Sequence, residues 1–382
     1  MILLEKYEYF IRHSAGLGKA PTEPDKDLYD HQFAHCDVLV VGGGISGILA
    51  AKLSAEKGLN TILIDDKNFL GGSTIYQDNN CFKINDLNSN NWLSKEIESL
   101  KNYPNLILKK RTTLAAFHGY NYLLARENLT DHLTISEKKN KIRQRLWKIR
   151  AKKVILASGS IERPLIFNNN DRPGIILSSS IKKYIDYYGV KTGKNVSLFT
   201  NNDSAYETAA SLVKSGVDVN TIIDIRENSE SSVVKEVQRM GIKILWGHTI
   251  VDTFGYKRIK SFDVMKLSND GGGVVGSKIK FNSNCLGVSG GWTPMVHLFT
   301  QSGGKLKFKT DDNIFIPDEN KSPSEQISVG SCNGDFELDD IINNTVKYVK
   351  NFINLDKSNY DKVSVVCSKE ISKKNIWLLP SS

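Results

Sequence analysis

Residues 36–66 read CDVLVVGGGISGILAAKLSAEKGLNTILIDD, and the chemistry open to this run is to hold a dinucleotide. Gly42, Gly44 and Gly47 form GxGxxG directly after an apolar run and at the start of a helical one. The first glycine allows a tight turn, the second lets a pyrophosphate approach the backbone, and the third permits close contact between helix and strand. Gly43, Ile45 and Ser46 lie between them, at the N-terminus of the helix. Unpaired N–H groups and the helix dipole favour an anion there. Asp65, with Asp66 beside it, ends the next apolar run. A carboxylate at that point accepts hydrogen bonds from both ribose hydroxyls and repels a 2′-phosphate, which indicates NAD or FAD and disfavours NADP.

More glycines follow, and their order carries information. Gly72, followed by Ser73, comes shortly after Asp65; Ser158 and Gly159 close the run KKVILASGS; Gly330 closes QISVG. That order points to the two-domain, disulfide-reductase-like flavoprotein fold. Two departures qualify it. A second strand–helix–strand unit, NVSLFTNNDSAYETAASLVKSGVDVNTIIDIR, has FTNNDSAY where a glycine turn is expected. Bulkier residues then occupy the phosphate approach, leaving backbone N–H groups between Asn201 and Ser204 as the remaining donors. The second departure is Gly330-Ser331, where flavoproteins of this fold carry Gly-Asp with its carboxylate on the ribityl chain. FAD loses an anchor, and NAD becomes competitive for the first site.

No catalytic set stands out, so catalytic residues stay unassigned. Cys36, Cys81, Cys285, Cys332 and Cys367 include no CxxC pair, which argues against a metal site, an iron–sulfur cluster or a redox dithiol. His118 and His297 have no partner at an interpretable spacing. The chain reads as a holder of cofactor.

The elements that position these residues define an α/β fold with two Rossmann-like domains, the second inserted into the first. DVLVV and TILID are continuous apolar runs, as in parallel strands covered on both faces. From Arg111 to Arg150 the apolar residues alternate, which predicts an antiparallel meander. The expected division is an N-terminal arm over 1–35, a first dinucleotide-binding domain over 36–160 plus 284–350, an inserted domain over 161–283, and a C-terminal tail over 351–382. Glycines 271–273 serve a hairpin turn.

Net charge is +9, densest in KKNKIRQRLWKIRAKK. Cations around Trp147 are compatible with nucleic acid, but the apolar residues between them belong to buried strands, so a solvated hairpin is the reading adopted and no nucleic-acid partner is expected. No apolar run reaches the roughly eighteen residues of a membrane span. Charge interrupts the apolar N-terminus, unlike a secretory signal, so a cytoplasmic location is the default.

Several longer phrases, AGLGKAPTEPD, AHCDVLVVGGG, RLWKIRAKKVILASGSIERP, NNDRPGIILSSS, VSLFTNNDSAYETA and VSGGWTPMVHLFTQSGGKL, resemble the alpha subunit of heterotetrameric sarcosine oxidase. The resemblance implies NAD on Gly42, Gly44, Gly47, Asp65, Gly72 and Gly159. It also implies FMN at the interface with a beta subunit, which carries the FAD that oxidises sarcosine, and gamma- and delta-type partners. The implied reaction is demethylation of sarcosine to glycine, with hydrogen peroxide and formaldehyde or methylene-tetrahydrofolate. The family's ferredoxin-like N-terminal and folate-binding C-terminal domains have no counterpart in this chain, which reads as a fragment or a shortened homologue. Two other readings are an alpha-type subunit of a related amino-acid or opine dehydrogenase with FAD in the first site, and a non-catalytic nucleotide-binding scaffold.

Overall fold

A computed structural model describes residues 2–18, 21–76, 82–356, 363–367 and 374–381. After an N-terminal helix, Ile2–Ser14, the chain enters β1 (Leu28–Val41), whose residues Val38, Leu39 and Val40 are fully buried. Apolar side chains on alternating faces of one strand need cover on both sides. Helices α1 (Ile45–Glu56) and α4 (Leu338–Ile353) provide it on one face, through Ile48, Leu49 and Leu53 against Ile342, Val346 and Val349. Each such side chain, fully buried, contributes about 1.5–3 kcal/mol.

The first sheet has seven strands. β1 pairs in parallel with β2 (Thr61–Ile64), and β2 with β3 (Leu106–Lys109). On its other side β1 meets β6 (Ile142–Leu156), which continues antiparallel into β5 (Tyr122–Asn128) and β4 (Thr112–His118). The basic run thus lies largely in one long strand, with Ile149 and Ala151 buried while Arg150 and Lys152 are exposed. The end of β6 also pairs in parallel with β14 (Gln326–Ser328), which brings a late segment back to the first sheet. The arm expected over 1–35 is shorter than read: residues 28–36 already pair with β6, and Arg145 grips Asp30 across the pair at 2.9 Å.

Two short strands, β7 (Ser160–Glu162) and β13 (Trp292–Pro294), pair antiparallel where the chain leaves the first unit and returns. Between them lies a five-stranded parallel sheet in the order β8 (Ile175–Leu177), β12 (Cys285–Ser289), β9 (Asn195–Thr200), β10 (Asp218–Asp224), β11 (Ile244–Trp246). Helices α2 (Ser178–Asp186) and α3 (Ser204–Lys214) cover one face. The expected return at 284 needs correction. β12 sits between β8 and β9, so residues 285–289 belong to the inserted sheet and the crossing follows Ser289. All five residues of β12 are buried, and such a strand takes the centre of a sheet. Nor are the described residues beyond 351 a free tail. Residues 365–367 pair with a strand at 82–84, and Leu379 is buried against the inserted unit.

Candidate dinucleotide site

The turn from β1 into α1 holds the residues that the sequence singles out. Gly42 has φ +103°, and a Cβ on it would stand 2.3 Å from the Ala157 carbonyl oxygen. A Cβ on Gly47 would stand 1.7 Å from the Gly42 carbonyl oxygen. Only hydrogen fits at either point, so turn, helix and β6 meet at backbone distance. Gly44 differs. A Cβ there would have only the Gly72 Cα, at 4.0 Å, so the space beside it is open to a ligand.

Gly44 is the residue before α1, and no side chain caps the helix. Its first turn carries no acidic residue. The amides of that turn have no acceptor within the helix, and the positive end of the helix dipole lies there too. Ile45, Ser46 and Gly47 are buried in the turn, with Ser46 accepting a hydrogen bond from Thr345 at 3.0 Å.

Asp65 reaches back across the turn. One carboxylate oxygen accepts from the Gly43 amide at 2.6 Å and the other from the Lys67 amide at 2.8 Å. Burial pushes this carboxyl above its ordinary value, against the pull of those two amides toward the ionised form. Each oxygen keeps a lone pair for a further donor. Asp66 instead faces solvent, with its carboxylate 3.1 Å from Lys67 Nζ.

The remaining candidates gather around the same mouth. Gly71 donates to the Gly43 carbonyl at 2.7 Å, which sets Gly72 against Gly44, while Ser73 is exposed. Ser158 donates to the Met295 carbonyl at 2.9 Å, and Met295 donates back to Gly159 at 3.0 Å. Gly330 lies on the other side; a Cβ there would meet Ser46 Oγ at 2.2 Å. Sequence reading missed the Lys67 amide, Leu70, which packs where a Cβ on Gly43 would fall, and Thr345. Lys67 and Leu70 could have been suspected from their closeness to Asp65. Thr345 stands 299 positions from its partner and left no local signal.

The second crossover turn does not offer the donors that the sequence suggested. The Asn201 amide donates to the Ser289 carbonyl at 3.3 Å, the Asn202 amide to Thr200 Oγ1 at 3.1 Å, and the Ser204 amide to Asn202 Oδ1 at 2.9 Å. Asn202 Nδ2 also bridges to the Ser289 carbonyl, closing the crevice between β9 and β12. At the end of β10, Asp224 is fully buried and paired with Arg226 at 2.7 Å, and Arg226 also holds Asp203 at 2.7 Å. Burial pushes the Asp224 carboxyl up, and Arg226 opposes that push.

A glycine turn beneath an uncapped helix, a carboxylate on the next strand and a second parallel sheet reached by paired crossings define a class: the two-unit dinucleotide-binding flavoproteins of Rossmann-like fold. Residues 37–100 match the FAD dependent oxidoreductase family, which supports a flavin-type cofactor for the first unit. Thioredoxin reductase of T. acidophilum superposes with a TM-score of 0.62 at 16% identity, covering 84% of this chain and 98% of that one.

Within this class the chain is similar to sarcosine oxidase subunit alpha. It is 34% identical to that of Corynebacterium sp. (strain P-1) over 324 residues, 84% of this chain and 33% of the relative. It is 32% identical to that of Rhizobium meliloti (strain 1021) over 316 residues, 81% of this chain and 30% of the relative. The chain therefore spans about a third of the length of these curated relatives. Among the described residues no helix is long and apolar enough to cross a membrane, and no cluster of side chains suits a metal ion.

Proposed function

We propose that this chain is the NAD-holding core of an alpha subunit in a sarcosine oxidase-like flavoenzyme complex. The complex would oxidise sarcosine to glycine, with hydrogen peroxide and formaldehyde or methylene-tetrahydrofolate as the other products. Turnover would need a flavin-bearing beta-type subunit with FMN at the shared interface, and gamma- and delta-type subunits would complete the assembly in the cytoplasm. The observation that carries the cofactor assignment is the uncapped first turn of α1 beside Asp65, whose carboxylate is held by two backbone amides.

In this reading the first-turn amides of Gly44, Ile45 and Ser46 hold the diphosphate, and the open side of Gly44 admits it. Asp65 accepts from the adenosine ribose. Gly72, Ser158, Gly159 and Gly330 line the approach, with Gly43 and Gly47 keeping the turn tight. Asp66 and Ser73, both exposed, border the mouth. Bound NAD would supply a hydride-accepting ring, whereas the residues around this mouth serve binding and orientation. The cofactor is then held rather than turned over.

The match of residues 37–100 favours a second reading, FAD in the same mouth, as in an amino-acid or opine dehydrogenase alpha-type subunit. Gly330-Ser331 weighs against it, because a serine stands directly after Gly330 where the ribityl-anchoring carboxylate is expected. Denaturing the purified chain and identifying the released nucleotide by mass and absorbance separates the two. Colourless NAD near one per chain is expected; a yellow FAD extract overturns the assignment. Co-expression with a beta-type subunit should then give sarcosine-dependent peroxide. A scaffold without catalytic role would instead show only stabilisation by nucleotide, about 2.7 kcal/mol at a hundredfold excess over Kd.

A further inference from the structure

Open α/β sheets bind ligands outside the carboxyl ends of their strands, at the point where strand order reverses. In the inserted unit that point lies between β9 and β12. Another part of the same chain occupies it. Asn201, next after β9, accepts from the Lys374 amide at 3.1 Å, and its Nδ2 donates to the Lys374 carbonyl at 3.0 Å. Gly290, next after β12, accepts from Trp377 Nε1 at 2.6 Å. Ile166 and Leu378 form a parallel bridge, with Ile166 donating to the Trp377 carbonyl at 2.7 Å. Residues 374–379 thus cross the mouth from one strand end to the other.

The N-terminus of α3 is covered as well, since Trp292 Nε1 donates to Ser204 Oγ at 3.0 Å. Beneath it, the buried Arg226 guanidinium pairs with both Asp203 and Asp224. An incoming diphosphate would add negative charge beside two carboxylates already sharing one guanidinium.

The same segment reaches the crossing between the units. The Arg163 guanidinium stacks on the Trp377 ring at 3.8 Å, and Arg163 and Gly290/Gly291 exchange backbone hydrogen bonds of 2.7 Å. Asn375 donates to the Asp311 carbonyl at 3.0 Å, beyond β13 on the returning chain. From α2, Lys182 donates to the Tyr76 carbonyl at 2.9 Å, next to the first mouth.

We propose that residues 374–379 are an internal strap that seals the second crossover mouth and fixes the crossing between the two units, so the inserted unit takes no nucleotide. This extends beyond the cofactor reading, since it holds whichever dinucleotide the first unit carries. The test is hydrogen exchange read by mass spectrometry on the full chain, with and without NADH and NADPH. Neither nucleotide should slow exchange at 201–206; protection there overturns the sealed mouth. Trp377→Ala should speed exchange at 163–166, 201–204 and 290–292 at least tenfold while leaving 62–64 and the retained nucleotide unchanged. Unaltered exchange at those three stretches overturns the strap. Should Trp377→Ala fail to fold, Asn201→Ala removes the side-chain half of the other anchor and must speed exchange at the same three stretches. Leu378→Ser, at a side chain 73% exposed, should change nothing; a loosened mouth in that variant overturns the assignment of Trp377 and Asn201 as the anchors.

Discussion

The turn from β1 into α1 and the turn from β9 into α3 solve the same geometric problem with opposite chemistry. In the first, hydrogen-only residues bring backbones to contact distance, the helix has no side-chain cap, and one carboxylate is held by amides alone. In the second, Asn201, Asn202 and Asp203 are all buried, three of the turn's amides are consumed, and a guanidinium sits between two carboxylates. One mouth leaves its donors to a ligand; the other spends them on itself. Two turns of one architecture can therefore share a fold and differ in whether their amides are left for a ligand.

Five substitutions break or sharpen this contrast. The largest effect should come from Arg226→Met, which strands Asp203 and Asp224 in the interior. Breaking a buried pair in this way costs about 3–5 kcal/mol, visible as a lower midpoint in urea, and a change under 1 kcal/mol would show that Arg226 does not hold the two carboxylates in the interior. Gly47→Ala should come next. Its Cβ would overlap the Gly42 carbonyl, so a loss of about 1–3 kcal/mol is expected together with loss of nucleotide. Gly44→Ala separates the two consequences. With nothing nearer than 4.0 Å, it should leave the nucleotide-free melting temperature in place and weaken nucleotide binding by roughly tenfold or more.

Asp65→Asn tests the electrostatics. Burial holds the folded Asp65 carboxyl above its ordinary value. Protonation therefore favours the nucleotide-free folded state: this stabilising contribution is full below the unfolded value and lost as pH rises through the folded one. Binding that needs the carboxylate runs the other way, and affinity should fall as pH drops through the raised value. The Asn variant should bind more weakly near neutrality and show a flat profile across that range by calorimetric titration. Smallest of all should be Asp66→Ala. Its exposed pairing with Lys67 is worth about 0–1 kcal/mol, so both melting temperature and nucleotide content should hardly move.

Some of this was legible along the chain because the interactions are local. GxGxxG, Asp65 and Gly72 fall within about thirty residues, and a turn states its steric needs in consecutive positions. The alternation through β4, β5 and β6 was readable for the same reason. Which unit receives β12 is not legible in the sequence. A short, fully buried strand carries no mark of which sheet receives it, and its neighbours β8 and β9 lie about ninety residues away or more. At the second turn the bulky residues mark a poor phosphate site in the sequence, but where its amides donate is not legible there. Their acceptors include Ser289, which no local pattern connects to Asn201.

By itself, the amino-acid order determined where a dinucleotide could be gripped. Steric room at a turn and the type of residue ending the next strand are properties of a few neighbouring positions. Tertiary structure alone decided that the second mouth is shut, because closure depends on residues 374–379 arriving at Asn201 and Gly290 from far along the chain. Hydrogen bonds to backbone carbonyls carry no side-chain signature in the acceptor, so such an arrival becomes visible only once the chain has folded.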